Sequence, residues 1–288
     1  ATPQARSVVC LVWASVLRLS EQLPELVTGA APAHRLTIEA AVAGGALEWI
    51  RAAFAEGGTL SAGAAGTSAA AHDTSMSEAA RWMMRGVLAA HLASFALASP
   101  AGALMQPWSD VARTAAALAS VLDGAVDLCE DLVVNNAEAI NQPINELLRQ
   151  ALGPFPEDPR PICRLLRAMC ASERCAMDAV AYLDRCPTVA LRHLVSDGTL
   201  AVAPSGGVTL REPIDAELAP GLTMRMHPGS VGTMLGASGA AGGAAIVSWE
   251  CPARGVAVLL ARLAGVIASI AEARRAGRVP AQEAIESA

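Results

Sequence analysis

Residues that can form a hydrolase triad cluster in one short stretch, at His72, Asp73, Ser75 and Ser77. A serine hydroxyl deprotonated by histidine can attack an acyl carbon, while a carboxylate orients the imidazole. Close sequence neighbours rarely supply that geometry. Ser238 is a second candidate nucleophile, but the Gly-x-Ser-x-Gly turn that exposes such a serine does not surround it. An active serine hydrolase using Ser75 or Ser238 is therefore an alternative hypothesis and not the leading one.

The chain contains no lysine, because all 21 of its basic residues are arginine. Alanine supplies 63 of the 288 residues. A lysine amine is the base or nucleophile in several catalytic motifs, and its ammonium form binds nucleotide phosphates in others. The sequence therefore excludes a P-loop, a protein kinase, a Schiff-base enzyme and the Ser-x-x-Lys pair of penicillin-recognising enzymes.

Four of the seven cysteines lie close together, at Cys163, Cys170, Cys175 and Cys186. Structural zinc sites combine closely spaced pairs of cysteines or histidines. Only Cys170 and Cys175 form such a pair here, and His193 does not complete a second one. We interpret the cysteines as reduced and mostly buried thiols, and we predict no metal.

Two other patterns have structural interpretations. The acidic residues Asp123, Asp127, Glu130 and Asp131 lack an accompanying Glu-x-x-His motif and are typical of a solvated helix face. The glycine-rich segment 236–243 precedes an apolar strand rather than a helix N-terminus, which argues against a phosphate or dinucleotide site. The sequence predicts no cofactor.

The elements that would position these residues are mostly helical in the middle of the chain. Apolar residues at helical spacing predict helices over residues 36–55, 77–97, 109–122, 141–152 and 162–183. Small residues fill segment 57–77, which predicts a surface loop. Four prolines in 154–161 predict a linker and a boundary.

Strands are predicted towards both ends of the chain. Residues 8–13 and 15–19 fit two short strands or one amphipathic helix, and periodicity does not decide between them. Residues 244–249 and 256–260 flank a turn and predict a hairpin, followed by a terminal helix over 262–276. Asp197 and Gly198 indicate a further turn between strands.

Composition restricts the class of partner. The net charge of −6 and the pI near 5.4 argue against nucleic acid as the principal partner. The best membrane-spanning candidate, 255–271, contains Arg262 and Ser269, so no transmembrane segment is predicted. The mean hydropathy of +0.39 favours a large apolar contact with other protein subunits instead, with peripheral membrane association through those partners.

Several segments resemble parts of the serine β-lactamase and penicillin-binding protein superfamily, in particular its class C-like and mitochondrial β-lactamase-like branch. The glycine-rich run 235–243, the apolar run 246–249, the turn 252–255 and the run 256–260 are similar to the active-site edge strand and its neighbour. The other similar segments are 82–94, 107–110 and 36–60. The resemblance implies an α+β fold in which terminal strands form an antiparallel sheet beside a central helical region.

The same resemblance implies that each catalytic position of the family has lost its function in this chain. Arg35 occupies the position of the nucleophilic serine, Ile38 that of the lysine, Trp108 that of the tyrosine, Asp110 that of the asparagine and Ala237 that of the first residue of the His-x-Gly motif. Arginine and isoleucine can neither attack an acyl carbon nor accept the proton of the nucleophile. The resemblance therefore implies a protein that is not an enzyme.

These observations lead to one hypothesis about function. We expect residues 1–288 to form a single β-lactamase-like domain, mostly helical over 36–153, joined by the proline-rich linker 154–161 to a helix, sheet and terminal helix over 162–288. We expect it to act as a noncatalytic structural or accessory subunit of a large complex, of the respiratory-chain type in a mitochondrion. Besides the active hydrolase, an all-helical scaffold is the other alternative.

Overall fold

The computed structural model of the protein describes residues 6–7, 9–14, 30–54, 78–98, 108–133, 138–194, 198–203, 207–237 and 244–275. The chain forms two compact units. The helical unit comprises Ala1–Ala151 and Arg160–Met177, and the sheet unit comprises Leu152–Pro159 and Asp178–Ala288. The predicted α+β class is confirmed, because helices are combined with antiparallel sheets.

The helical unit consists of helices that follow one another along the chain. They are α1 (residues 6–7 and 9–14), α2 (Ala30–Ala43), α3 (Ala46–Phe54), α4 (Glu78–Ala98), α5 (Trp108–Leu122), α6 (Val126–Val133), α7 (Glu138–Leu152) and α8 (Arg160–Met169). The next helix, α9 (Glu173–Asp184), begins in this unit and ends in the sheet unit. The helices predicted over 77–97, 109–122 and 141–152 are confirmed with small shifts of their ends.

Helix α5 forms the centre of the helical unit, where it contacts α3, α4, α6 and α8. Its Ala115, Ala117 and Leu118 are buried. Small alanine side chains let neighbouring helices approach closely, which suits a helix surrounded by others. The apolar side of α8, including Ile162 and Leu165, is buried in the same core.

Two of the predicted helices are each broken into two. The prediction of one continuous helix over 36–55 is wrong, because Gly44 and Gly45 separate α2 from α3. Gly45 adopts a φ of 87°, which side-chain-bearing residues rarely adopt. The Ser7 hydroxyl of α1 donates to the Gly44 carbonyl, so α1 packs against this corner. The helix predicted over 162–183 is likewise interrupted after Met169, between α8 and α9.

A bidentate ion pair joins α3 to α5. Arg113 Nε lies 2.7 Å from Glu48 Oε1, and Arg113 Nη2 lies 2.9 Å from Glu48 Oε2. The same Nη2 also donates to the Val42 carbonyl at 3.1 Å, so one guanidinium connects α2, α3 and α5. The hydrogen bond from Arg113 holds the pKa of the Glu48 carboxyl below its usual value.

Acid is expected to remove the stabilisation that this ion pair gives. Because the pKa of Glu48 is lowered in the folded protein, its contribution is complete above the unfolded pKa and is lost as the pH falls through the folded pKa. The pair is partly exposed, so Glu48→Gln should lower the free energy of unfolding at pH 7 by only about 0.5–1 kcal/mol. Urea denaturation from pH 7 to pH 3 tests this, with Glu212→Gln as the control. An equal loss at both ends of that pH range would contradict it.

The sheet unit contains the strands of the protein and its last described helix. The strands are β1 (Val189–Leu194), β2 (Leu200–Val202), β3 (Gly207–Leu210), β4 (Ile214–Ala219), β5 (Leu222–Met226), β6 (Val231–Ala237) and β7 (Ala244–Trp249), and α10 (Gly255–Arg275) follows them. Within the described ranges, an antiparallel sheet has the order β1-β7-β6-β3-β2, and β4 pairs with β5 in a separate hairpin.

Two predictions about the strands are corrected. Residues 256–260 are not a strand, because they form the first turns of α10, and β7 pairs with β6 and β1 instead. The apolar run continues with alanine and leucine through several helical turns, and these residues favour a helix. Near the N-terminus, residues 9–13 belong to α1, so the helical interpretation is the correct one there, and 15–19 lie outside the described residues. The strands of the described sheet therefore come from the C-terminal half of the chain.

Trp249 fills the core of the sheet unit. Its side chain is completely buried, and its Cα is paired with Val189 of β1 on one side and Gly232 of β6 on the other. The indole Nε1 donates a hydrogen bond of 2.9 Å to His193 Nε2, and the two rings meet edge to face. The absence of a side chain at Gly232 leaves the space that the indole occupies.

The proline-rich segment is packed into the sheet unit. Pro154, Phe155 and Pro156 are buried, and the Ala190 amide of β1 donates to the Phe155 carbonyl at 2.6 Å. The segment that the sequence predicts as a linker therefore supports an edge strand of the sheet. The prolines suit this position, because they need no partner for a backbone amide.

Candidate interaction surface

Helix α10 packs against the sheet unit with one side only. A Cβ added to Gly255 would lie 2.4 Å from the Leu183 carbonyl, so glycine permits the close contact with α9. Val258 is buried, and Gly265 lies against the ring of Pro220. These residues are three and seven residues apart, which places them along one face of the helix.

Arg262 attaches the same side of α10 to β4. Its Nε donates to the Leu218 carbonyl at 2.9 Å, and its side chain is about half buried. Burial lowers the pKa of the guanidinium, and the nearby Glu157 acts in the opposite direction. An arginine stays charged even so, since its ordinary pKa is far above physiological pH. The cation within this apolar helix is thus held against the protein.

The opposite side of α10 carries a line of exposed apolar residues, which we name the α10 stripe. It consists of Leu260, Leu263 and Ile267, whose exposed fractions are 61%, 54% and 59%. Their spacing of three and four residues places them on one face. Isolated exposed leucines are ordinary on protein surfaces, but a continuous line of them marks an interaction site.

The positions beside the α10 stripe carry no charge. Ala257, Ala264 and Ala271 flank it, and alanine offers little obstruction to a second backbone. Apart from Arg262 on the opposite side, charged residues appear only near the end of the described helix, where Glu272, Arg274 and Arg275 are exposed. The face is therefore apolar over most of its length and charged at its C-terminal end.

By length and composition, α10 could cross a membrane, and it is the one described helix that meets these criteria. Only 6% of its apolar window is buried in the protein. Insertion would break the bond from Arg262 to Leu218 and move the guanidinium towards the bilayer centre, at a cost of about 2.5–3.5 kcal/mol. A protein partner on the exposed side would leave that bond intact.

The helical unit exposes a second apolar surface, on α4, which we name the α4 patch. Trp82, Met83 and Val87 are exposed there, while Ala89 and Leu92 of the same helix are buried in the core. This helix thus buries one side and exposes an apolar group on another.

The residues at the degenerate catalytic positions lie in both units. Arg35 and Ile38 are on α2, and Ile38 is buried. Trp108 and Asp110 are in the first turn of α5. Ala237 is the last residue of β6, in the sheet unit. Among these five residues, Ile38 is the one whose side chain the structure describes.

The alternative hydrolase residues cannot be located in the same way. His72, Asp73, Ser75, Ser77 and Ser238 lie outside the described residues. The active hydrolase that they would form stays a hypothesis.

The cysteines of the described residues are free thiols. Cys129 is buried and donates weakly to the Leu122 and Ala168 carbonyls, and burial raises its pKa to about 12. Cys186 donates to the Thr188 carbonyl, and burial raises its pKa to about 11. Cys170, by contrast, is exposed. High pKa values keep the two buried thiols protonated, a form in which they are poor metal ligands and poor nucleophiles.

The acidic run lies around the start of α6, where Asp123, Asp127 and Asp131 are exposed as the sequence predicts. Over the described ranges, no three His, Cys, Asp or Glu residues are grouped so that they could hold a metal ion. His193, considered above beside the cysteines, instead accepts the hydrogen bond from Trp249.

No protein-family model matches the sequence, and comparison with curated proteins also gives no match.

The α10 stripe is the candidate site with the clearest geometry. The sequence contains its signal, since Leu260, Leu263 and Ile267 have helical spacing. Sequence reasoning missed it by assigning the start of the helix to a strand, which divided the pattern.

Proposed function

We propose that this protein is a noncatalytic, protein-binding subunit of a larger assembly. The α10 stripe is the observation that carries the proposal. Leu260, Leu263 and Ile267 are more than half exposed on a helix whose other side is anchored by Arg262 and Gly265. A rigid apolar face of this kind is costly in water and gains free energy when a partner covers it.

The proposal includes a degenerate relationship to the β-lactamase-like hydrolases. The absence of lysine supports the loss of their Ser-x-x-Lys chemistry, and an antiparallel sheet followed by α10 is compatible with the sheet and terminal helix of that superfamily. β6 and β7 are interior strands and 256–260 is helical, so the edge strand and hairpin that the resemblance implies are not present at these residues. The helical conformation of 9–13 also departs from the N-terminal strands that the resemblance implies.

The proposed setting is a mitochondrial complex of the respiratory-chain type. The acidic charge and the apolar composition support protein partners over nucleic acid. The bond from Arg262 to Leu218 favours association with a membrane through such partners and not through insertion of α10.

Native-size analysis of the source material in mild detergent tests the assembly. We expect the full chain to migrate in a large complex, and mass spectrometry of the co-migrating proteins should identify the partners and the compartment. Leu263→Asp should release the chain from the complex, since it places a charge in the apolar face. Val180→Asp, at another exposed apolar position in the sheet unit, is the matched control. Migration of the parent chain as a free species of about its own mass, 29.4 kDa, would overturn the proposal.

The active-hydrolase alternative has its own test. A serine-directed phosphonate probe should leave the full chain unlabelled if the protein is noncatalytic. Labelling that is lost in Ser75→Ala or Ser238→Ala would favour the hydrolase instead.

A further inference from the structure

We propose that α10 binds α10 of a second copy of this chain, with the two helices antiparallel and their α10 stripes in contact. The inference rests on the proposed function, because it assigns a partner to the same surface. It goes further by naming that partner and its orientation.

The spacing of apolar residues on α10 is that of a coiled coil. Val256, Leu260, Leu263, Ile267 and Ile270 are separated alternately by four and three residues. The helix has 21 residues, which is the length of three heptads. In an antiparallel pair centred on the middle of the helix, Leu260 of one copy faces Ile270 of the other, and Leu263 faces Ile267. The layers of Leu260, Leu263, Ile267 and Ile270 are then filled by both copies, and Val256 of one copy faces Arg274 of the other.

The flanking positions favour a second copy over a different helix. Coiled coils select foreign partners mainly through charges beside the apolar seam. Ala257, Ala264 and Ala271 occupy one flank and Leu259 and Val266 the other, so neither flank has a charge that would repel an identical helix. The alanines also let the two backbones approach closely.

The charges at the ends of α10 favour the antiparallel orientation. Arg274 continues the heptad after Ile270, so parallel helices would place two Arg274 side chains against each other. In the antiparallel pair, Arg274 and Arg275 of one copy lie at the start of α10 in the other. Glu250 is an exposed acidic residue near that start, whereas Asp184 is already bonded to Arg254 there. The antiparallel pair thus separates the two Arg274 side chains and places each towards Glu250 of the other copy, and the helix dipoles are also aligned favourably.

Sedimentation equilibrium of the purified full chain tests the self-association. We expect a dimer at micromolar concentrations, and we expect Leu263→Asp to weaken dimerisation at least about tenfold, because a leucine leaves an apolar contact. Val180→Asp should dimerise like the parent. Circular dichroism should show that both variants are folded. A parent chain that is monomeric at these concentrations would overturn the inference.

Cysteine cross-linking tests the orientation. Arg274→Cys combined with Val256→Cys should form an intermolecular disulfide between these two positions, located by mass spectrometry. Arg274→Cys alone should give no disulfide that joins position 274 of one copy to position 274 of the other, and such a bond would overturn the antiparallel arrangement. Charge reversal by Arg274→Glu with Arg275→Glu should weaken dimerisation about two- to fivefold, and Glu250→Arg should restore part of the loss.

The failure of this inference and the failure of the proposed function give different results. The purified chain could stay monomeric and yet enter a large complex in the source material, with Leu263→Asp preventing that entry. This result would indicate a different partner for the α10 stripe and preserve the proposed function. A chain that dimerises but never enters a larger complex would preserve the inference alone.

Discussion

Replacement of Trp249 by alanine is expected to lower the free energy of unfolding by about 3–5 kcal/mol, the range measured for buried aromatic residues. The indole is completely buried on β7, between β1 and β6, so its loss leaves a cavity at the centre of the sheet. It also leaves His193 Nε2 without the 2.9 Å hydrogen bond that the indole donates. Because small domains are stable by only about 5–15 kcal/mol, the sheet unit should be largely destabilised.

Guanidinium denaturation followed by far-ultraviolet circular dichroism measures this effect. Trp249→Phe separates the two causes, since it retains much of the volume and loses the hydrogen bond, and it should cost less than the alanine variant. Trp49→Ala is the matched control, because Trp49 is 38% exposed on α3. A loss at Trp249 no larger than at Trp49 would show that the indole does not support the sheet.

Replacement of Gly232 by alanine is expected to destabilise the same sheet by about 1–3 kcal/mol, and replacement by valine by more. A Cβ at this position would lie 2.8 Å from Trp249 Cε3, 2.8 Å from Val247 Cγ1 and 3.0 Å from the Ser248 carbonyl oxygen. Two of these contacts are with buried side chains and the third is with backbone, so none can move away freely. The strand pair β6–β7 would have to separate.

The same denaturation measurement, with a glycine in open surroundings as control, tests this prediction. Gly86→Ala on α4 meets Leu128 only at 3.9 Å, an ordinary contact distance. That variant should stabilise the protein slightly, by about 0.5–1 kcal/mol, because glycine is unfavourable within a helix. If Gly232→Ala were as stable as Gly86→Ala, the packing of the indole against β6 would be wrong.

Local patterns in the sequence were sufficient to predict most of the helices but insufficient to predict the pairing of the sheet. The apolar residues of α4, α5 and α7 recur at the period of a helix within a single segment, so each helix can be recognised without the rest of the fold. The break at Gly44–Gly45 is accompanied by a contact with Ser7, 37 residues away, and no local pattern predicts that contact. The pairing of β7 with β1 joins segments far apart in sequence, and no local pattern determines it.

The candidate site, too, could be predicted only in part from local patterns in the sequence. The apolar character of 255–271 is evident in the sequence, but Arg262 within it could indicate either a broken membrane span or an anchored helix. The contact of Arg262 with Leu218, together with that of Gly265 with Pro220, shows which side of α10 faces the protein. The exposure of Leu260, Leu263 and Ile267 follows from those contacts and could not be predicted before the start of the helix was known.

The path of the chain between the two units limits how the protein can be divided into fragments. Leu152–Pro159 belong to the sheet unit, the following segment Arg160–Met177 belongs to the helical unit, and the remainder of the chain belongs to the sheet unit again. A fragment that starts at Leu152 therefore retains α8, whose Leu165 and Ile162 would lose the core provided by α5. A fragment that stops at Ala151 lacks α8 and exposes α5 in turn. During synthesis, the helical unit can complete its core only after the first segment of the sheet unit has been made. Neither unit is therefore synthesised as one continuous segment that could fold by itself.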